Sequence, residues 1–369
     1  MSTLLMILTA VLLLSFLVVI HEGGHYVAAR AFGVRVTEFM IGMPGPNIGV
    51  RIGETKFGVT PILLGGYARV CGMDPGELSP HLRPVLAAAY RRGTANMEDI
   101  ARDCGITDDE AFLALEQLVE WGSLTGPTRK DPYNTYRTPV QTPSLRARRA
   151  ARREGLPAPE GFAAGAPREV ADEQAFYDAE LSRQYCNLPF WKRSIILVAG
   201  PGVNLLFAVL AFVLVYSVIG FDLTSTDTGE VTHWTVGPLR SLQAGLAYIV
   251  AVVQAVAGLF NPSTAAETVS NSTSVVGIAV MSQSYAAAGF NYLLMFAAMI
   301  SVSLGVMNLL PIPPLDGGRF VIEIYQKLRR KNISVRALNY LSLAGMALFL
   351  GFFVVMLNQD IQRFVFGNW

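Results

Sequence analysis

The chain has 369 residues, of which 52% are hydrophobic and 15% charged, and its formal net charge is +1. This composition excludes an ordinary water-soluble domain and is typical of a membrane protein. A net charge so close to zero gives no reason to expect a polyanionic partner. The three cysteines, Cys71, Cys104 and Cys186, have no CxxC spacing and are interpreted as buried or unreactive thiols.

Four charge-free stretches predict about four membrane-spanning helices. They are Leu4 to Ile20, Ser194 to Phe221, Asn291 to Leu310 and Leu338 to Leu357. The first stretch lacks the positive n-region and the cleavage site of a signal peptide, so we expect it to be retained. A fifth stretch, Gly245 to Phe260, is short and is predicted to lie in the interface or against the bundle.

Basic residues predict the orientation of these spans. The segment between the first two spans and the segment Pro311 to Ala337 are rich in Lys and Arg, whereas Phe221 to Phe290 contains only Arg240. The positive-inside rule therefore places both basic segments in the cytoplasm and the termini outside. An even number of crossings must then separate Lys192 from Arg319, so Gly245 to Phe260 should not span alone.

Two motifs at the ends of apolar spans predict a zinc site. In "HEGGH", His21 and His25 share a helix face, while Glu22 can reach the open position of a metal without ligating it. A third ligand is needed, and Asp316 in "NLLPIPPLDGGRF" follows a span on the same predicted side. Each motif alone has an ordinary alternative, a chance helical HExxH or a plain turn. Their joint occurrence favours zinc.

With these motifs the chain resembles the site-2 protease family of intramembrane zinc metalloproteases, the M50 peptidases. The resemblance rests on "HEGGH" at 21–25, "AGPGVNLLFA" at 199–208 and "NLLPIPPLDGG" at 308–318. It implies a zinc metalloendopeptidase that cleaves single-span membrane proteins in or near their transmembrane segments, as in regulated intramembrane proteolysis of anti-sigma factors. It makes His21, His25 and Asp316 the ligands and Glu22 the catalytic glutamate. It also suggests that Asn204 binds substrate; a helix-packing role for Asn204 remains open.

Short alternating runs in Val36 to Val70 predict a small β-sheet beside the site. A helix that is to be cleaved must unwind, and its freed backbone groups need partners. In the family, the matching region is a membrane-associated β element that docks substrate in extended form. The alternative is an ordinary cytoplasmic hairpin.

The chain departs from the family in two places. Only "DLTSTDTGEVTHWTVGP" follows Phe221, which is too short for the PDZ domain found in many bacterial members. In addition, residues 80–190 form an insertion with three predicted helices, a turn at Gly105 and a possible wing in "TGPTRKDPYNTYRTP". It resembles a winged helix, but its third helix is acidic, whereas DNA phosphates require Lys or Arg. We therefore expect a cytoplasmic protein-binding or effector-binding module that is dispensable for the chemistry, while a regulatory role for it stays open.

The sequence thus predicts an α-helical polytopic membrane protein with a small membrane-associated sheet and a cytoplasmic, winged-helix-like insert. Residues 1–79 hold the first span and the β region, 80–190 the insert with its Arg-rich segment, and 191–369 the transmembrane core. The predicted location is the cell membrane, with the active site toward the cytoplasm and the substrate helix and lipid bilayer as partners. The alternatives are a metal transporter and a membrane-tethered DNA-binding regulator. The few ionisable groups in the later spans disfavour the transporter.

Overall fold

The structure is a computed structural model of the chain. It describes residues 3–63, 65–73, 76–128, 131, 134–141, 145–157, 161–224, 230–330, 333–364 and 366. The chain is mostly helical and carries three small sheets.

The first part of the chain is a long helix followed by a four-stranded sheet. Helix α1 covers Thr3–Ala31, so the helix formed by the apolar run continues through the HEGGH motif and ends six residues after it. The strands are β1 (Val36–Ile41), β2 (Ile48–Ile52), β3 (Thr55–Val59) and β4 (Gly66–Val70). Their order is β2-β3-β1-β4, with β1 parallel to β3 and antiparallel to β4. The sheet predicted for Val36 to Val70 is therefore present, and β4 is the edge strand beside α1.

The insert has a core of its own between the sheet and the second long helix. Its elements are α2 (Leu82–Arg92), β5 (Thr94–Asn96), α3 (Met97–Cys104), α4 (Asp108–Glu120), β6 (Thr135–Arg137), α5 (Leu145–Arg153) and α6 (Glu173–Leu181). Helix α4 begins with a capping box between Thr107 and Glu110, and Gly105 adopts a left-handed conformation in the turn before it. Leu82, Leu115 and Trp121 are among the buried residues that hold these helices together. Part of the segment predicted as a wing lies outside the described residues.

The last part of the chain is a helix bundle. It contains α7 (Phe190–Leu214), continued by a π-helical turn over Val215–Ile219, the hairpin β7 (Phe221–Thr224) and β8 (Val231–Trp234), α8 (Pro238–Gly258), α9 (Ala265–Asn271), α10 (Val275–Ala288), α11 (Phe290–Asn308), α12 (Asp316–Arg329) and α13 (Val335–Phe364). Helix α7 lies at the centre, where it packs against α1, α8, α11 and α12.

Five helices in the described part of the chain are long and apolar enough to cross a membrane, where the sequence predicts about four. The additional helix is α8, which extends the short stretch Gly245 to Phe260 backward to Pro238. Arg240 and Gln243 interrupt the charge-free run there, so the sequence window underestimates the helix. A shorter apolar helix, α10, was not predicted.

Helices α1 and α7 approach each other closely at Gly24. A Cβ atom there would lie 2.5 Å from the carbonyl oxygen of Ala199 and 2.9 Å from the Cα of Gly200. These are backbone atoms, so they cannot move aside as a flexible side chain would. The neighbouring Gly23 has open space where its Cβ would be. The two glycines of HEGGH therefore differ: one allows the helix contact, and the other is free.

We expect Gly24→Ala to lower the free energy of unfolding by about 1–3 kcal/mol, because it overpacks the α1–α7 contact. Gly23→Ala is the matched control and should be neutral or stabilising by about 0.5–1 kcal/mol, since alanine is the better helix former. Thermal unfolding of the purified proteins in detergent measures both. Equal melting temperatures for the two variants would contradict the proposed close approach.

Candidate metal centre

Helix α1 brings the two histidines of the HEGGH motif to one face. His21 and His25 are each 7% exposed, and their rings meet edge to face with centroids 5.0 Å apart. Both lie near the end of the apolar helix, where they face α7 and α12 rather than solvent. Four-residue spacing on a helix thus produces a buried pair of imidazoles.

Asp316 reaches the same place from the far end of the chain. It is the first residue of α12, where a carboxylate is favoured by the partial positive charge of a helix N-terminus. The chain reverses sharply before it, and Gly317 lies so close to the preceding segment that a Cβ would be 2.2 Å from the carbonyl oxygen of Leu309. The glycine after Asp316 therefore permits the turn that directs the carboxylate toward α1.

Three donor atoms converge at this point. Asp316 Oδ2 lies 3.1 Å from His21 Nε2 and 3.2 Å from His25 Nε2, and the two Nε2 atoms are 3.4 Å apart. Ligand atoms at about 2.05 Å from a tetrahedral ion are separated by roughly 3.3 Å. Among the described residues, this is also the one group of three His, Cys, Asp or Glu side chains placed to share a metal ion. The spacing of the three atoms therefore fits zinc.

The hydrogen bonding of His25 supports the same interpretation. His25 Nδ1 donates to the carbonyl oxygen of Ile196 at 2.7 Å, so the neutral ring presents an unprotonated Nε2 on its other side. That lone pair then faces the carboxylate oxygen of Asp316. Two acceptors at this distance repel each other unless a cation or a proton lies between them. The donor set is therefore suited to hold a metal ion.

Asn204 is buried in α7 beside His21. Its side chain is 0% exposed, and its amide is 3.2 Å from His21 Nδ1. As placed, the amide nitrogen faces the ring, while Asn204 Oδ1 is buried without a partner. With the amide turned by 180°, Oδ1 would accept a hydrogen bond from His21 Nδ1–H and leave His21 Nε2 free to bind a metal. The position thus fits a residue that orients His21, while substrate binding by Asn204 stays a prediction.

The Glu22 carboxylate contacts the sheet. It accepts a hydrogen bond from the Ala68 backbone N–H at 2.9 Å, on the edge of β4 that faces α1. A Cβ on Gly66 of the same strand would lie 2.6 Å from Val18 and 3.5 Å from Cγ of Glu22. The glutamate and the edge strand are therefore in close contact. This contact involves a backbone group, so sequence reasoning had no signal for it.

The remaining histidines and cysteines lie apart from this centre. His81 pairs with Glu110 in the insert, and His233 pairs with Asp222 on the exposed β7–β8 hairpin. Burial raises the pKa of the Cys71 thiol to about 12, and burial likewise raises that of Cys186 to about 11. Neither thiol belongs to the group of donor atoms formed by His21, His25 and Asp316.

A His-His-Asp donor set within a bundle of apolar helices, with a glutamate beside it, is the arrangement of a membrane-embedded metallopeptidase. Comparison with known proteins agrees. The family model of peptidase family M50 matches residues 9–352, so the chain belongs to this family. The chain is a multi-pass membrane protein and a zinc metalloendopeptidase.

Several curated proteins are similar along almost their whole length. "Zinc metalloprotease RasP" of Geobacillus kaustophilus is 23% identical over 445 residues, covering 98% of this chain and 99% of the relative. "Putative zinc metalloprotease Cj1068" of Campylobacter jejuni is 25% identical over 374 residues, covering 97% and 94%. A "Putative zinc metalloprotease" of Streptococcus pneumoniae is 25% identical over 453 residues, covering 98% and 99%.

We expect one zinc ion per chain, and expect His21→Ala or Asp316→Ala to abolish stoichiometric binding because each removes a donor atom. Glu22→Gln should retain the metal, and so should the control His233→Ala, which removes a histidine far from the centre. Asn204→Ala should weaken zinc binding by about 10-fold without changing its stoichiometry, as loss of a ligand-orienting contact does. Metal analysis and competition with a chelator measure these effects. Full zinc retention in both His21→Ala and Asp316→Ala would contradict the site.

Proposed function

We propose that the protein hydrolyses peptide bonds in or near the transmembrane segments of single-span membrane proteins. The observation that carries this proposal is the convergence of His21, His25 and Asp316 within an apolar bundle, with Glu22 hydrogen-bonded to the edge strand β4. A soluble protease would hold the same donors in a water-filled cleft. Here the donors lie between helices that are long and apolar enough to span a bilayer.

In this proposal each residue has one task. His21, His25 and Asp316 hold zinc, which when bound polarises a carbonyl and lowers the pKa of water toward neutrality. Glu22 accepts the proton of the attacking water and returns it to the leaving amine. The hydrogen bond from Ala68 fixes the Glu22 carboxylate between the metal site and β4. Asn204 and the carbonyl of Ile196 orient the two imidazoles.

The substrate is proposed to bind as an added strand on β4. This is the edge strand nearest α1, whereas β3 lies inside the sheet between β2 and β1. Each backbone group freed from a helix in an apolar setting costs several kcal/mol (~2–7) unless it is re-paired. A strand edge can re-pair a whole run of such groups. At the opposite edge, Ile48, Val50 and Ile52 of β2 are 67–82% exposed, which supports contact of the sheet with lipid.

The metal centre is proposed to face the cytoplasm. Ser217 at the end of α7 contacts Ser241 of α8, and Asn291 of α11 donates to the carbonyl of Gly220. Helices α8 and α11 therefore both start at the end of α7 that is opposite to the metal centre, on the same side of the membrane. If α8 crosses the membrane, the chain must cross back before α11 starts, and α10 is the apolar helix available for that second crossing. The number of crossings between Lys192 and Arg319 then remains even, as the positive-inside rule requires.

The insert is proposed to be a winged-helix-like module that binds protein or an effector. The proposal is supported by the order of helix, strand, two helices and further strand, and by the pairing of Thr125 with Arg137 beside the β5–β6 pair. The helix in the recognition position is α4, and its exposed face carries Asp108, Asp109 and Glu116. Acidic side chains repel phosphates, so this face is unsuited to DNA. The Arg-rich α5 is a candidate for contact with anionic lipid headgroups.

We expect co-expression with a panel of single-span membrane proteins to give cleavage products with the wild type and none with Glu22→Gln. Gly or Pro substitutions near the cleaved bond should increase cleavage, and Leu substitutions should decrease it, because unwinding the substrate helix limits the reaction. The products are measured by immunoblotting and their termini by mass spectrometry. Cleavage by zinc-loaded Glu22→Gln at the wild-type rate would refute the assigned role of this glutamate.

Capture of an affinity-tagged substrate by the inactive Glu22→Gln protein tests strand addition separately from catalysis. In that protein, Ala68→Pro removes the edge amide of β4 and should reduce substrate capture at least ~10-fold with zinc retained. Val50→Pro, in the far edge strand β2, controls for general damage to the sheet. Equal effects of the two prolines would place the docking site elsewhere.

For topology, we expect cysteines introduced at Arg102 in the insert and at Thr232 in the β7–β8 hairpin to label from opposite sides. Both positions are exposed, and Cys104 and Cys186 are first replaced by alanine. An impermeant maleimide added to sealed right-side-out vesicles should label Thr232→Cys but not Arg102→Cys, and detergent should make both reactive. Labelling of Arg102→Cys in sealed vesicles would contradict a cytoplasmic insert.

A further inference from the structure

The last part of the insert hydrogen-bonds to the residues that follow helix α1. We call this part, residues 183–185, the exit of the insert. Arg35, four residues beyond α1, donates its backbone N–H to the carbonyl of Arg183 at 2.9 Å and accepts from the N–H of Cys71 at 3.0 Å. The N–H of Tyr185 in turn donates to the carbonyl of Cys71 at 2.9 Å. Backbone hydrogen bonds thus join the exit of the insert to the sheet and to α1.

The Arg35 side chain enters the insert and is buried there. Its guanidinium donates to both carboxylate oxygens of Glu180 in α6, at 2.8 and 3.0 Å. It also donates to the carbonyl of Trp121 at 3.1 Å and to Ser123 Oγ at 3.2 Å. Burial alone would raise the pKa of Glu180, but Arg35 lowers it overall, so the pair is ionised. A buried guanidinium with these partners has a single well-defined position.

A second contact reaches the helix that carries Asp316. Glu323 lies seven residues after Asp316 in α12, which is about two helical turns along the same face. It accepts a hydrogen bond from the Tyr185 hydroxyl at 3.3 Å and pairs with Arg193 of α7 at 3.0 Å. Tyr185 also packs against Ala29 of α1 and Ile196 of α7. The exit of the insert therefore contacts all three helices that surround the donor atoms.

Close backbone packing makes this junction stiff. A Cβ on Gly122 would lie 2.5 Å from Cγ2 of Thr37 in β1, and a Cβ on Gly72 would lie 2.7 Å from Cβ of Gln184. The Glu120 carboxylate at the end of α4 accepts from the N–H groups of Gly72 and Met73 at 2.8 and 3.1 Å. Displacement of α4 or α6 would therefore shift the ends of α1 and β4 with it.

We propose that Glu180 and Ser123 of the insert are positioning residues for the metal centre, acting through Arg35 on the helix that carries His21 and His25. The proposal rests on the proposed zinc site and replaces the expectation that the insert is dispensable for the chemistry. A protein or effector that moves α6 would change the alignment of the histidines with Asp316. The insert then regulates the protease by geometry, without contact with the substrate.

The test compares full-length Glu180→Gln and Ser123→Ala with the control Asp178→Asn, an exposed residue of the same helix. Each protein is loaded with Co²⁺ in place of zinc, and its visible spectrum, the rate of cobalt release to a chelator, kcat and KM are measured. We expect Glu180→Gln to release cobalt about 10-fold faster, with an altered spectrum and a kcat about 10-fold lower, a size seen for loss of contacts that orient ligands. KM should change less than about twofold, since the substrate contacts remain.

Several outcomes would overturn the proposal. One is a folded Glu180→Gln protein with the wild-type spectrum and release rate, and another is the same change in Asp178→Asn. If Glu180→Gln does not fold, Ser123→Ala decides, because it removes one hydroxyl from the network and leaves the ion pair; a wild-type spectrum and release rate would then refute the positioning role. If wild type and His21→Ala bind cobalt identically, the zinc site itself is refuted instead.

Discussion

The close contact between α1 and α7 at Gly24 determines the geometry of the metal centre. Because Gly24 lies against the backbone of Ala199 and Gly200, α7 is near enough for the Ile196 carbonyl to reach His25 and for Asn204 to reach His21. A side chain at Gly24 would separate the helices and remove both contacts. The rings would then be free to rotate, and their nitrogen atoms would no longer point at a common position.

The centre joins distant parts of the chain, and each of its buried polar side chains contacts another. Polar groups buried between apolar helices are costly unless they are paired, so His21, His25, Asp316 and Asn204 constrain one another. Ser301 of α11 extends the pairing by donating to the carbonyl of Asn204 at 2.9 Å. Glu22 alone turns to the sheet, where Ala68 is its partner. In the proposed mechanism, this division separates the metal-binding face of α1 from its catalytic face.

Local sequence patterns predicted those parts of the structure that depend on residues close together in the sequence. Four-residue spacing identified His21 and His25, and the charge-free runs located most of the long helices. The helices of the insert followed from apolar periodicity and from the turn at Gly105. Asp316 could also be predicted from the sequence, because an acidic residue directly after an apolar span is unusual and requires a partner.

Long-range contacts could not be predicted in this way. The partner of Asn204 depends on how closely α1 and α7 pack, and the partner of Glu22 is a backbone amide with no residue signature. Arg35 and Glu180 are 145 residues apart in the sequence, and nothing local marks either as buried. Helix α8 was underestimated because Arg240 and Gln243 interrupt its hydrophobic window. These features arise from tertiary packing, which composition and spacing do not encode.

X-ray absorption at the zinc edge of the full-length protein tests the central claim most directly, because it reports the atoms bound to the metal. We expect a first shell of nitrogen and oxygen at about 2.0–2.1 Å, with two imidazole rings visible in the outer shells. Sulfur at about 2.3 Å would instead indicate Cys71, Cys104 or Cys186 as ligands. A sulfur-containing shell, or a spectrum with no imidazole contribution, would contradict the assignment of His21, His25 and Asp316.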